Sequence, residues 1–243
     1  MASARLFVEA PLALGASLAL DSDRAHYVTT VLRQQTGAKL RLFNGRDGEF
    51  SGALEQIAKK SARVRIEAHL RPQPPPSQIT LMFAPVKRQA TDWIVEKATE
   101  LGVGAIAPVI TRRTVTDTVR LERWRAIATE AAEQCERLDV PHCLEPTSLA
   151  GALESFDRAA ILVFADESGQ AKPIAQALAP DHLQRHISVL IGPEGGFDPA
   201  EQRALRSLDF VRPVSLGPRI LRAETAAVAA LAIIEALWGA GSA

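Results

Sequence analysis

Three charged side chains, Glu194, Arg222 and Glu224, stand in or beside two glycine-bearing turns near the end of the chain. The first turn is Gly192-Pro193-Glu194-Gly195-Gly196-Phe197. The second is Leu216-Gly217-Pro218-Arg219-Ile220-Leu221-Arg222-Ala223-Glu224-Thr225. Each follows an apolar run that reads as a buried strand, Ile187 to Ile191 and Val211 to Leu216, and each leads into a helix. A strand, a glycine turn and a helix start form the place where an α/β sheet offers backbone N–H groups to a ligand. Two of them close together point to one small-molecule pocket with two walls. A tight turn that needs a positive φ at Gly195 or Gly196 also explains the first sequence. Arg222 is either a surface partner of Glu224 or a charge aimed into the site. Thr225 either caps the last helix or bonds a ligand.

The spacing limits the ligand. G-x-x-G-G is neither the dinucleotide fingerprint G-x-G-x-x-G nor a phosphate loop, since no G-K-[ST] follows. Glycine backbone, the apolar Ile220-Leu221 pair and a few charges suit an adenosine-like ligand without phosphates. Downstream of the first turn, Asp198 is placed as N-cap, Pro199 as the first helical residue and Glu201 as the third residue of a capping box.

The elements that position these turns follow from periodicity. The Pro-rich stretch from Arg71 to Ser77 can continue neither helix nor sheet, and it reads as a linker between two domains, 1–71 and 77–243. The first opens with a strand at Leu6 to Val8. A helix spans about Asp23 to Gln35, capped by Asp21 or Ser22. Strands follow at Lys39 to Phe43, Glu49 to Ile57 and Ala62 to Ala68, with Asn44-Gly45 and Asp47-Gly48 as turns. The pattern predicts a small β-barrel with one helix. The second domain alternates strands (Ile79 to Pro85, Ala105 to Ile110, Ala160 to Phe164) with helices (Asp92 to Leu101, Leu121 to Arg137), which predicts a mainly parallel α/β sheet. The last helix, Ala223 to Trp238, is apolar on most sides and must be buried inside the fold or against another subunit. Trp93 and Trp124 read as core residues. Glu133, Gln134 and Arg137 share one polar helix face.

Composition excludes several classes. The 243 residues are 47% hydrophobic and 23% charged, with zero net charge, so no global field attracts nucleic acid, although local patches can. No apolar run approaches the ~20 residues of a membrane span. The start, Met1 to Arg5, reads as mature protein, and Cys135 and Cys143 read as incidental thiols of a reduced, cytoplasmic protein. His182 and His186 lack further ligands, so no metal is expected.

These residues resemble the RsmE family of the SPOUT superfamily. The resemblance rests on both turns, on Arg5-Leu6-Phe7-Val8, on His26-Tyr27-Val28-Thr29-Thr30-Val31-Leu32-Arg33 with Leu42-Phe43-Asn44-Gly45, on Lys87 with Trp93 to Val103, and on Glu130 to Cys135. Two positions depart from it: Ala25, where a second His is frequent, and Glu136, where a Gly commonly precedes the residue matching Arg137. The resemblance implies an enzyme that uses S-adenosyl-L-methionine to methylate N3 of a uridine in bacterial 16S ribosomal RNA. It also implies a PUA-like N-terminal β-barrel, a C-terminal α/β domain with a trefoil knot, and a homodimer acting on 16S ribosomal RNA or the small ribosomal subunit. The cofactor residues it implies are Phe164, Ala165, Leu190, Ile191, Gly192, Gly195 and Gly196 on one side. On the other they are Leu216, Gly217, Ile220, Leu221, Arg222, Thr225 and Ala226. Arg222 would stabilise charge on the uracil, with Glu194 or Glu224 as proton acceptor. RNA contacts are expected from Arg5, Arg24, His26 and Arg33, and from Lys87, Arg88, Arg112 and Arg113. Glu133, Gln134 and Arg137 would face the active site or an interface. The rival readings are a non-catalytic RNA-binding protein that retains the fold and an NAD-type enzyme.

Overall fold

The computed structural model describes residues 4–58, 61–116, 118–178, 182 and 185–241, and for 238–241 the backbone only. Met1 to Ser3 of the N-terminal reading lie outside the described residues. Two compact units emerge, Met1–Pro76 with Ala132–Val140, and Ser77–Ala131 with Pro141–Ala243.

The first unit contains β1 (Ala4–Phe7), β2 (Ser17–Leu20), α1 (Ser22–His26), a π-type turn (Tyr27–Val31), β3 (Lys39–Phe43), β4 (Glu49–Ala58) and β5 (Ser61–Arg71). The strands form one sheet in the order β1-β3-β4-β5-β2, parallel between β1 and β3 and antiparallel elsewhere. Alternation in β5 buries Ala62, Val64 and Ile66 while Arg63 and Arg65 stay wet, and these join Leu6, Leu40, Leu42 and Val28 in one core. Asp21 caps α1 by accepting from Arg24 N. The single helix expected to reach Gln35 instead stops at His26 and continues as the π-type turn. The β-branched run Val28-Thr29-Thr30-Val31 crowds an α-helix, and the Thr29 hydroxyl donates back to the Ala25 carbonyl at 2.8 Å. Strand β2 escaped the sequence reading because its four residues are too few to show a period.

A carboxylate cage lies in this unit. Glu49 is fully buried and accepts from Arg5 Nε at 2.6 Å, Arg41 Nη2 at 2.8 Å and Arg71 Nε at 2.8 Å. Burial by itself would raise its pKa, but the three arginine hydrogen bonds outweigh that and hold it down to about 2. Arg5, itself buried, also donates to the carbonyls of Ala132 and Arg137 and lies over the Phe43 ring. This corrects the expected RNA contact at Arg5, whose guanidinium is spent inside the protein. Glu133 accepts from Phe7 N at 2.9 Å, and Arg137 forks onto Asp139. The Glu133 bond ties residues 132–140 to β1, while the Arg137–Asp139 pair is internal to that segment.

Glu136 explains one departure from the family pattern. Its φ is +63°, a left-handed conformation in which glycine is free of Cβ strain. Its carboxylate is held by Arg41 Nη1 at 2.6 Å and Nη2 at 3.2 Å, which compensates for the strain. Glu136→Ala, keeping the strain and losing the pair, should lower the urea midpoint. Glu136→Gly, losing both, should restore it to roughly the wild-type value.

The second unit contains β6 (Ile79–Phe83), α2 (Arg88–Glu100), β7 (Ala105–Ile110), α3 (Leu121–Gln134), β8 (His142–Cys143), β9 (Thr147–Ser148), α4 (Leu149–Glu154), β10 (Ile161–Ala165), β11 (Lys172–Pro173), α5 (Ile174–Ala177), β12 (Ile187–Ile191), α6 (Pro199–Arg206), β13 (Val211–Ser215) and α7 (Ala223–Gly241). Among the described residues every strand pairing here is parallel, in the order β11-β13-β10-β12-β6-β7-β8, with β9 beside β7. The centre is buried on both faces, so β10 is a continuous apolar run and β12 is one but for the buried Ser188. Helix α7 buries Ala226, Ala227, Ala230, Leu231 and Ile234 and packs beside α2, α5 and β12. Trp124 is buried and stacked on Phe83, as a core residue should be, whereas Trp93 is 39% exposed. No described helix is long and apolar enough to cross a membrane.

Candidate functional site

Strands β13, β10 and β12 are consecutive and parallel, so their C-terminal turns open at one edge, where ligands of open α/β sheets bind. The three turns and the start of α7 line one cleft of about 280 Å³.

The first turn is built locally. Gly196 N donates to Pro193 O at 2.9 Å, and Gly196 takes a φ of +64°, the positive angle expected at Gly195 or Gly196. The expected capping box then starts α6: Asp198 is the N-cap, Pro199 follows, and Glu201 Oε2 accepts from Asp198 N at 2.9 Å. The other Glu201 oxygen accepts from Arg112 N at 2.8 Å, and Arg113 donates to Gly195 O at 2.8 Å. Gly192 is required by contact. A Cβ there would lie 2.8 Å from the Phe197 ring, and that ring is buried edge-on against Phe164. Gly192→Ala should therefore destabilise the fold by about 1–3 kcal/mol through overpacking. It should also weaken ligand binding, read by urea unfolding and by calorimetry with S-adenosylhomocysteine.

The cleft collects most of the expected cofactor residues. Phe164, Ala165, Ile191, Gly192 and Gly196 line one side, and Leu216, Gly217, Ile220, Leu221, Arg222 and Ala226 the other. Leu190, Gly195 and Thr225 are not among the lining residues. Leu190 points into the core, fully buried. Thr225 is exposed, and no cap bond to its hydroxyl is present among the described residues. Of the three candidate catalytic groups, Glu194 and Arg222 line the cleft and Glu224 does not. The Arg222 guanidinium makes no ion pair or hydrogen bond with any described residue, so the surface pair with Glu224 does not form; its backbone carbonyl accepts from Ala226 N at 2.8 Å. Its charge is exposed at the cleft and unspent.

Sequence reasoning missed the turn after β10. Asp166, Glu167 and Gly169 line the cleft, as do Phe197, Gln202 and Arg219. The signal was present, since Asp-Glu-Ser-Gly directly follows an apolar strand. Asp166 is buried and paired with Arg206 Nη2 at 2.6 Å.

The remaining RNA candidates fall in both units. In the first, His26 and Arg33 are exposed, while Arg24 is half-buried and donates to Phe7 O and to Asp21. In the second, Lys87 and Arg88 are exposed at the start of α2, and Arg112 reaches Asp198 at 3.2 Å.

The donor set suits an adenosine-type sulfonium cofactor. Phe164, Ile191, Phe197 and Leu221 supply apolar surface, Gly192 and Gly196 allow backbone approach, and no phosphate loop is present. Among the described residues, no group of three or more His, Cys, Asp or Glu could hold a metal.

Comparison with known proteins agrees with this chemistry. Residues 73–235 match the model of an RNA methyltransferase domain, and residues 20–67 match an RNA methyltransferase PUA domain. The chain is 34% identical to ribosomal RNA small subunit methyltransferase E of Rickettsia conorii, over 96% of this chain and 95% of that protein. The chain belongs to this methyltransferase family. A relative of the same name from Bacillus subtilis is 30% identical over 90% of each chain. A ribosomal RNA small subunit methyltransferase E from Neisseria gonorrhoeae, solved bound to S-adenosyl methionine, superposes with a TM-score of 0.86 at 28% identity, over 98% of both chains. A Legionella pneumophila methyltransferase, solved with bound SAM, gives a TM-score of 0.86 at 30% identity over 97% of this chain and 98% of that one.

Proposed function

We propose that the chain transfers a methyl group from S-adenosyl-L-methionine to N3 of a specific uridine in bacterial 16S ribosomal RNA. The observation that carries this reading is the cleft between the two glycine turns, with the unspent Arg222 charge at its edge, in a member of the small-subunit methyltransferase E family. When bound, the cofactor supplies an activated methyl on a sulfonium. The remaining work is positioning the acceptor about 3–3.5 Å from that methyl and removing the N3 proton. Uridine N3 lies on the pairing edge, so the base enters unpaired or flipped. Arg222 stabilises the negative charge that develops on the uracil imide, and Glu194, exposed at the cleft, receives the proton.

In this reading residues 1–71 are the PUA-like barrel and 77–243 the SPOUT domain, knotted where the turns after β10, β12 and β13 crowd one cleft. His26 and Arg33, with Lys87, Arg88 and Arg113, contribute phosphate contacts, which position RNA rather than read it. The enzyme acts as a homodimer in the cytoplasm. The apolar α7 and the half-exposed Trp93 on its neighbour α2 support the dimer.

The test is mass-spectrometric mapping of uridines in ribosomal RNA from cells with and without the gene. Loss of one N3-methyl mark, restored by the purified chain with S-adenosyl-L-methionine, is expected. An unchanged RNA together with retained RNA binding would favour the non-catalytic reading.

A further inference from the structure

Strand β10 lies between β12 and β13, so the turn that follows it forms the floor between the two glycine walls. This turn is held rigidly. Asp166 N donates to Val214 O at 2.9 Å, and Asp166 Oδ1 accepts from Ser168 N at 2.9 Å. Its other oxygen binds Arg206 of α6, which also reaches Ser168 Oγ at 2.9 Å. Between these anchored residues stands Glu167, whose side chain lines the cleft. Its Oε1 rests against Gly196, where any Cβ would overlap it, so the glycine at 196 makes room for this carboxylate as well as turning the chain. No described residue donates a hydrogen bond or an ion pair to Glu167.

An exposed carboxylate with unspent acceptor oxygens, carried on a braced turn at the C-terminal end of a parallel strand beside a glycine turn, matches the way α/β nucleoside sites take ribose hydroxyls. Two vicinal hydroxyls satisfy the two oxygens of one carboxylate together. Resting on the cofactor reading above, we propose that Glu167 binds the ribose diol of the adenosine cofactor. Arg206 is the positioning residue, acting through Asp166.

Calorimetry on the full chain tests this with three probes: S-adenosylhomocysteine, 5′-methylthioadenosine, which lacks the amino-acid arm, and the 2′,3′-dideoxy form of methylthioadenosine. Glu167→Gln should weaken the first two by the same factor, about tenfold or more, the range for a hydrogen bond to a charged group. The wild type and the variant should bind the dideoxy probe equally. Equal binding of S-adenosylhomocysteine by wild type and variant would overturn the assignment. So would a loss confined to S-adenosylhomocysteine, which would place the carboxylate on the amino group. If the wild-type chain itself binds none of the probes, the cofactor reading falls, and the assignment with it.

Discussion

Arg222→Ala should lower the methyl-transfer rate at saturating cofactor by about 10²–10³-fold, the usual effect of deleting one donor to a developing negative charge. The side chain sits at the mouth of the cleft and spends its charge on no described residue. In the proposed reaction the uracil imide is neutral in the ground state and gains charge as its proton leaves. An interaction that strengthens only along the reaction lowers kcat more than it changes substrate binding. Calorimetry with S-adenosylhomocysteine on the same variant separates this rate loss from any loss of cofactor affinity, since Arg222 also lines the cleft. Single-turnover transfer from labelled cofactor to 16S ribosomal RNA reads the rate. Near-normal turnover would remove Arg222 from the chemistry.

Glu49→Ala should destabilise the chain by about 3–5 kcal/mol, the range for breaking a buried ion pair from one side. The variant leaves Arg5 buried with its charge uncompensated, and it loosens Arg41 and Arg71 at once. The same cage sets a pH dependence. Glu49 has an ordinary pKa of 4.5 and is held at about 2 in the fold. Because the folded value is the lower one, its contribution is complete above pH 4.5 and drains away as pH falls toward 2. The full swing is roughly 3 kcal/mol. Urea midpoints of the wild type should therefore fall across pH 5 to 3. Those of Glu49→Ala should start lower and fall less. A mutant curve parallel to the wild type would overturn the assignment of the acid transition to Glu49.

Both effects mark the limit of what local sequence contains. The turn at Gly192 to Gly196 and the Asp198-Pro199-Glu201 helix start could be read directly, because a φ requirement and a cap involve residues within five positions of one another. The parallel sheet showed itself in uninterrupted apolar runs such as Ala160 to Phe164, which keep charged residues off both faces of the strand. The π-type turn at Tyr27 was hidden, since a β-branched run inside a capped amphipathic segment still resembles a helix. Trp93 and Trp124 have the same local signature, and only the packing of α2 and α3 decided which one is covered.

Arg5 resembled a surface cation until the fold placed it beside Glu49, 44 residues away, and under the Ala132 carbonyl, 127 residues away. The role of Glu136 needed both its φ and the position of Arg41. The Asp166–Glu167 turn needed the strand order, because β10 becomes the middle of the site only when β12 and β13 flank it. By itself, then, the sequence determined the turns, the caps, the parallel-sheet class and the family. The tertiary structure decided which charges are buried, which stay free to act and which carboxylate reaches the cleft. Charge–charge contacts depend on strand order and register, and these come from packing the whole chain rather than from any local stretch of it.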